Sequence, residues 1–496
     1  MISEGNFYIG IILSIIIMFL MLYDCLLILQ QNHYHYSYVK KYYCKTEYEI
    51  EMVVVFLSLL RFIKFEGLLI LFDYLILVFY VIYIFYWFNK KRILKLKFTK
   101  RIIRIAVLMV IISMILVMLF DYLIIIALTP INVFISMVLL EPIEKLINRY
   151  YVRRAKEKID RIKPVVIGIT GSAGKTSVKN FIYQLFKNEK ITFMTPKSYN
   201  TVMGLCKAIN EELNDKTEVA ILEYGASKKG DIDELLKVVV PDIAIITNVL
   251  PQHLETFKSV ENIMEEKFKL LKAGKVAILN TDIIDTILPE NVLKITASSK
   301  KDADYIIKNV KIDEKGCSFN LNGIDFSSKL LGKCNYENII LAVMVALYFN
   351  LSPNNLVYNV KNLECVSDRL EIFEESVNGR NVTIINDSFN SNIKGFKNAL
   401  EVVGYYKSDK KAIITPGIVE GGKKEEELNG IITKEIVKCN INIYIVKSKV
   451  SKYIASELNK LDYNYLEFDS FLEAYNLALK SNDVVLIEND ISDIYK

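Results

Sequence analysis

Gly168-Ile-Thr-Gly-Ser-Ala-Gly-Lys-Thr-Ser177 follows the apolar run Val165–Ile167 and precedes a segment with helical periodicity. A strand that breaks into a glycine-rich turn and reopens as a helix at Lys-Thr makes a phosphate cradle, because backbone N–H groups and the positive end of the helix face the anion together. Gly171 and Gly174 supply the turn, and Ser172 and Ser177 belong to the same loop. Lys175 would reach the outer phosphates and Thr176 would hold Mg²⁺. The spacing departs from G-x-x-x-x-G-K-[ST] in one place, since its first glycine would fall on Ile169. The alternative is an ordinary glycine-rich turn, against which the intact Gly-Lys-Thr stands.

Outward from this loop the pattern alternates short apolar runs with helical segments. Val165–Ile169, Val219–Leu222, Ile243–Thr247 and Val276–Leu279 read as strands, with helices from Lys175, near Ile232–Val239 and near Val260–Lys272. Such alternation predicts an α/β fold with a parallel sheet. A stretch with weaker strand signals (294–331) and a helical run, Tyr336–Phe349, follow. A second α/β series then begins with Val382–Ile385 and ends with Val484–Ile487. The expected organisation is a P-loop domain over 164–366 and a Rossmann-like domain over 367–496, behind a basic connector (146–163) and a transmembrane module (1–145).

The N-terminal 145 residues are densely apolar. Phe7–Leu29 is long enough to span a bilayer and lacks the basic start of a signal peptide. Gly67–Phe88 is a second run. Ile105–Leu140 suits two spans, or one span and a re-entrant piece, broken near Pro130. Asn89–Arg101 carries seven Lys or Arg and no acid, which places it in the cytoplasm with Arg149, Arg153 and Arg154. Lys40, Lys41 and Lys45 argue for the same side, and Val53–Ile63 would supply the extra crossing this needs. Four or five spans, an outside N terminus and a cytoplasmic catalytic part are expected. Asp24, Asp73 and Asp121 lie within apolar runs, where a carboxylate faces a bundle interior or a polar ligand, or else marks a span boundary.

A net charge of +5 is too small to indicate a nucleic-acid partner, and the seven cysteines lack the paired spacing of a zinc site or disulfide framework. Three residues outside the loop carry candidate chemistry. Glu223 ends a strand beside the phosphate cradle, where a carboxylate suits Mg²⁺; alone, a strand-end Glu is more often a helix cap or ion pair. His253 follows the next strand and is the single histidine outside the N-terminal module, His33 and His35 being there; alone it reads as a satisfied core residue, and its place after a strand neighbouring the phosphate loop points to a metal or phosphate role. Lys267 falls within the apolar stripe Ile263, Met264, Phe268 and Leu271 of a helix, so it snorkels, is paired or is modified. Lys269 points elsewhere and reads as solvated.

The ordered runs GITGSAGKTS, TPKSYNTVMG (195–204), LEYGAS, ITNVLPQHLETF, the Lys267 helix, LNTD (279–282), GKCNYENIILA (332–342), SDRLE (367–371) and INDSFNSN (385–392) together resemble the Mur ligase family, most closely its MurF branch, over about residues 160–496. The resemblance implies an ATP- and Mg²⁺-dependent carboxylate–amine ligase working through an acyl phosphate. It further implies that Gly171, Gly174, Lys175 and Thr176 hold phosphates, that Glu223 and His253 bind metal, and that Lys267 is carbamylated to hold a second Mg²⁺. Asn338 would contact adenine, Arg369 and Asp387 would close over ATP, and Asn200 and Asn390 would face the substrate.

The chain departs from the family pattern where the membrane module stands in place of a UDP-binding domain. Cys334, Phe268-Lys269 and Ile393 also replace residues common in the family. The expected partners are a cell-envelope carboxylate donor, an amino acid or dipeptide amine and a membrane lipid or lipid-linked substrate, at the cell membrane. A poly-γ-glutamate synthetase-like polymerase and a nucleotide-gated membrane scaffold are the competing readings.

Overall fold

The computed structural model describes residues 2–31, 34, 69–89, 95–119, 124–300, 302–389, 392–419 and 422–489. His33, His35, Lys40, Lys41, Lys45, Val53–Ile63, Asp121, Asn390 and the side chain of Asp73 lie outside the described residues. Contacts divide the chain into two units, Met1–Asn148 and Arg149–Lys496.

In the first unit lie the helices α1 (Ile2–Gln31), α2 (Leu69–Asn89), α3 (Lys100–Leu119) and most of α4 (Ile124–Ile162). Ile12–Gln31, with a mean hydropathy of 2.7, is the one stretch among the described residues long and apolar enough to cross a membrane. Four or five spans were expected, but α2 contributes only the shorter described apolar segment Val78–Asn89, and α3 opens on Lys100, Arg101 and Arg104. The expected break near Pro130 is also displaced: α3 ends at Leu119, α4 starts at Ile124, and Pro130 lies within α4. Pro130 is the seventh residue of α4, so its missing N–H forfeits one bond of the ladder without ending the helix.

Apolar side chains lie on both the inside and the outside of this unit. Met21, Cys25, Tyr80 and Met109 are buried, whereas Phe19, Phe85, Val107 and Phe134 are exposed. The helices are tied by polar contacts. Asn132 donates to the Met109 carbonyl at 2.9 Å and to Ser113 Oγ at 2.8 Å. Arg104 pairs with Glu144 at 2.6 Å. Gln30 Nε2 donates to the Lys97 carbonyl while the Lys97 N–H returns a bond to Gln30 Oε1, which puts the end of α1 beside the basic segment. Asp24 is buried within α1.

The second unit contains two sheets. The first comprises β1 (Val165–Thr170), β2 (Thr192–Met194), β3 (Val219–Glu223), β4 (Ile243–Ile246), β5 (Val276–Asn280), β6 (Leu293–Ser298), β7 (Tyr305–Asp313), β8 (Gly316–Leu321) and β9 (Ile324–Ser328). Their order is β2-β3-β1-β4-β5-β6-β7-β8-β9. Strands β1 to β6 pair in parallel and β7 to β9 form an antiparallel extension. The inner strands β1, β3, β4 and β5 are near-continuous apolar runs because helices cover both faces. On one face lie α5 (Lys175–Phe186), through Val178, Phe181, Ile182 and Leu185, and a later helix, Lys333–Tyr348. On the other lie α6 (Val202–Glu212), α7 (Asp231–Leu236) and, beyond the short α8 (Leu254–Phe257), α9 (Val260–Ala273). The long helix Lys333–Tyr348 is α10, and Pro353–Lys361 is α11.

The second sheet has the order β10-β11-β15-β12-β13-β14. Its strands are β10 (Glu371–Val377), β11 (Arg380–Asp387), β12 (Lys411–Thr415), β13 (Asn442–Val446), β14 (Leu466–Phe468) and β15 (Val484–Glu488). Only the β10–β11 pair is antiparallel. Helix α12 (Ile393–Gly404) packs on this sheet through Phe396, Ala399 and Val403.

In the first sheet the chain leaves β1 toward β2 and β3 on one side and returns to β4 on the other. That reversal makes the carboxyl end of β1 a topological switch point, where sheets of this type open a crevice. The phosphate-loop candidate begins there.

Candidate active site

The loop 171–174 is shaped by two glycines with positive φ, Gly171 at 148° and Gly174 at 81°. A Cβ on Gly171 would come within 1.9 Å of Thr247 Oγ1, and one on Gly174 within 2.5 Å of Asn338 Oδ1. Both positions therefore demand glycine for space as well as for backbone conformation. The segment after β4 braces the loop: Ser172 N donates to the Asn248 carbonyl, Ala173 N to Asn248 Oδ1, and Leu250 N to Ser172 Oγ, each at 2.9 Å. Thr247 Oγ1 donates to the Ala173 carbonyl. Thr247 and Asn248 were not singled out from sequence as site residues. Their role depends on β4 lying beside β1, which a linear pattern does not reveal.

Lys175 opens α5 and turns its Nζ onto the carbonyls of Gly171 (2.8 Å) and Ser172 (3.3 Å). Burial pushes this ammonium down to about 8; Glu223 opposes the shift and Arg369 adds to it. Thr176 and Ser177 are buried in the first turn of α5. Arg369 Nη2 donates to Thr176 Oγ1 at 3.0 Å, and its guanidinium lies 4.2 Å from the centre of the Phe389 ring.

Glu223 ends β3 and pairs in register with Ile169. Its carboxylate is fully buried, with Lys179 Nζ 2.7 Å from Oε1, yet neither oxygen accepts an aligned hydrogen bond. A buried carboxylate with lone pairs to spare, near the Thr176 hydroxyl and the phosphate loop, is the donor set Mg²⁺ uses when phosphates complete its shell. The residues thus fit a Mg²⁺ ion carried in with a nucleotide. Among the described residues no cluster of three or more His, Cys, Asp or Glu side chains forms a metal site by itself.

Lys267, on α9, is 3 % exposed and donates to the Gly171 carbonyl at 3.0 Å. Burial, with the neighbouring Lys175 charge, holds its ammonium well below the usual lysine range, against the pull of Glu266 and Asp231. A downward shift raises the share of free amine, the form that reacts with electrophiles. Lys267, Lys175, His253, Gln252 and Phe257 line a cavity of about 20 Å³ beside Gly171. His253 has a left-handed backbone, φ 51°, as the residue before α8. Lys269 lies outside this group, bridging Asp233 at 2.5 Å and Glu266 at 2.7 Å.

Asn338, on α10, packs against Gly174. The carbonyl of Asn200 accepts from Gly225 N at 2.9 Å, and its side chain lies against Gly225 beyond β3. Asp387 ends β11 and accepts from Leu370 N at 3.0 Å; burial pushes its carboxyl up to about 6 despite Arg369. Lys394 on α12 pairs with Glu337 on α10, and Asn398 Oδ1 accepts from Cys334 N. These contacts hold the second sheet's domain against α10. Loop, Glu223, Lys267 and Arg369 thus converge on Gly171–Thr176, with Asn200 and Asn338 on adjoining sides.

Residues 169–346 match the family model of the Mur ligase middle domain. A UDP-N-acetylmuramoyl-tripeptide–D-alanyl-D-alanine ligase of Bacillus subtilis is 28% identical over 349 residues, covering 67% of this chain and 75% of the relative. The enzyme of the same name from Borreliella burgdorferi is 27% identical over 335 residues, covering 65% and 71%. Among solved structures, the MurF ligase from Thermotoga maritima in complex with ADP superposes with a TM-score of 0.59 at 23% identity, covering 69% of this chain and 80% of that one. MurF from Acinetobacter baumannii gives 0.58 at 20% identity, over 68% and 76%. These structural likenesses establish the shared fold.

Proposed function

The chain carries a Mur ligase middle domain in a fold shared with MurF ligases, and from that premise we propose that it is an ATP- and Mg²⁺-dependent carboxylate–amine ligase of cell-wall or surface-polymer synthesis. The observation that carries the reading is the meeting of two lysines from different helices, Lys175 and Lys267, on the Gly171 carbonyl, with the buried Glu223 carboxylate on the adjacent strand. Phosphoryl transfer needs cations on developing charge and aligned reactants more than it needs an acid or base.

In this reading a substrate carboxylate oxygen attacks the γ-phosphorus of ATP, the bond to the β-phosphate oxygen breaks, and ADP leaves. The amine then adds to the acyl carbonyl, and phosphate departs as the amide forms with loss of one proton. Lys175 and the N–H groups of the loop hold the phosphates. Thr176 and Glu223 would hold Mg²⁺, which screens the phosphate charge. Lys267, once its amine has taken up CO₂ and released a proton, would offer a carboxylate to a second Mg²⁺, with His253 beside it. Asn338 borders the nucleotide, Arg369 and Asp387 belong to the closing domain, and Asn200 faces the carboxylate substrate. We assign residues 164–366 to the nucleotide domain and 367–496 to the C-terminal domain that closes over ATP.

We read residues 1–145 as a multi-pass membrane module with the catalytic part cytoplasmic. The exposed apolar side chains on all four helices and the tie between Gln30 and Lys97 support this. A module of this kind, in place of a soluble nucleotide-sugar domain, favours a lipid-linked or polymeric carboxylate. The test is ADP release by the full chain in nanodiscs, with a UDP-muramoyl tripeptide or its lipid-linked form as donor and labelled D-alanyl-D-alanine or glutamate as amine. Amide formation with the dipeptide supports the MurF-type reading, and glutamate incorporation the polymerase. ATP turnover that never yields an amide would leave the scaffold reading.

A further inference from the structure

Helix α5 places a second lysine, Lys179, one turn beyond Lys175 and Thr176. Its side chain is 1 % exposed and its ammonium meets three oxygens from different elements. It donates to the Thr195 carbonyl at 2.6 Å and to the Lys197 carbonyl, and it stands 2.7 Å from Glu223 Oε1. Thr195 follows β2, and five residues on, Asn200 packs against Gly225 just past Glu223. One buried ammonium therefore connects the end of β3 to the segment that leads to the proposed substrate asparagine. The Thr195 hydroxyl beside it is buried without a hydrogen bond, and the close contact with Lys179 is the ion pair of the buried Glu223 carboxylate.

We propose that Lys179 is a positioning residue: it is the fixed counter-charge that keeps the Glu223 carboxylate in place for an incoming Mg²⁺ and ties it to the 195–200 substrate segment. The role rests on the ligase reading for its purpose, and on geometry for its existence. A lysine serving only to fill the core would leave its ammonium pointed at solvent. Here the ammonium is surrounded by oxygens, the Thr195 carbonyl and the Glu223 carboxylate buried and the Lys197 carbonyl half-buried, and the anionic one has no other cation within ion-pair reach among the described residues. Removing one member of a buried ion pair leaves the other charge uncompensated, whereas removing both restores a neutral interior.

The test uses the full chain in nanodiscs and compares the parent with Lys179→Met, Lys179→Arg and the double variant Lys179→Met/Glu223→Gln. Without divalent metal, Lys179→Met should lower the thermal midpoint by roughly 10 °C and the double variant should regain at least half of that. MgCl₂ should raise the midpoint of Lys179→Met more than that of the parent, because the ion supplies the missing positive charge, and should leave the double variant unmoved. Lys179→Met should lose kcat by about 100-fold while the KM for ATP stays within about threefold, and Lys179→Arg should restore part of kcat.

A double variant no more stable than Lys179→Met, or a MgCl₂ response equal in all proteins, would overturn the proposal and reduce Lys179 to a prop for the 195–197 carbonyls. If Lys179→Met does not fold, a folded double variant supports the proposal and an unfolded one contradicts it. The metal-free ranking is independent of ligation. A parent that forms no amide but keeps the ranking removes the ligase reading alone, and a parent that ligates with the ranking absent removes the role of Lys179 alone.

Discussion

Nucleotide binding should draw a proton onto Lys175. Burial on the Gly171 and Ser172 carbonyls pushes its ammonium down to about 8, and a polyphosphate would return it to at least the ordinary lysine range near 10.4, a differential of about 3 kcal/mol. The sign follows from the depressed value. Without nucleotide, the stability this group contributes is complete above its unfolded pKa and is lost as pH falls through about 8. Binding a polyanion reverses the preference, so affinity should rise as pH falls across the same window. At pH 8 about half a proton should be taken up per nucleotide bound, and the apparent Kd should tighten roughly eightfold between pH 9 and 7.5. Calorimetric titration of ADP in two buffers of different ionisation enthalpy measures the uptake directly. Lys175→Met should abolish it. A parent that shows no uptake at pH 8, or affinity that falls as pH is lowered, would refute the reasoning.

Three further outcomes are expected. Gly174→Ala places a Cβ 2.5 Å from Asn338 Oδ1 at a φ of 81°, so it should cost about 1–3 kcal/mol of stability and weaken ADP binding, read by thermal unfolding and titration. Lys267→Met removes a nearly buried amine and should leave stability within about 1 kcal/mol of the parent or raise it, while ATP turnover is lost. ¹³C-bicarbonate should give a carbamate resonance in the parent and none in this variant. Asp387, raised to about 6 by burial, contributes stability that is complete below its unfolded pKa and lost as pH rises through about 6. The stability difference between the parent and Asp387→Asn should therefore shift against the parent by about 2–3 kcal/mol between pH 4 and 7, measured by denaturant unfolding at each pH.

The parts of the fold written locally were legible. The loop 168–177 announces itself because strand, turn and helix are consecutive, and β1, β3, β4 and β5 are apolar runs since both faces are covered. Lys267 stood out because a charge on an apolar stripe violates the helical pattern, and it is indeed buried. The extension β7–β9 gave weak signals for the same reason in reverse: much of β7 is exposed, so its residues alternate little. Thr247, Asn248 and Lys179 went unnoticed because each acquires its role from a neighbour about 16 to 75 residues away, supplied by strand order. Lys179 left one trace, a second lysine four residues after Lys175, between the buried apolar residues Val178 and Phe181 of α5. In the N-terminal module, composition fixed apolarity, but it misplaced the helix break at Pro130.

The most direct test of the central claim is an isotope experiment on the full chain in nanodiscs. ATP is supplied with a UDP-muramoyl tripeptide or its lipid-linked form, the donor carboxylate is labelled with ¹⁸O, and D-alanyl-D-alanine is the amine. An acyl-phosphate ligase transfers one labelled oxygen to the released phosphate for each amide formed, and Lys175→Met abolishes both products. Phosphate released without label, or ADP formed with no amide from either donor, would contradict the account.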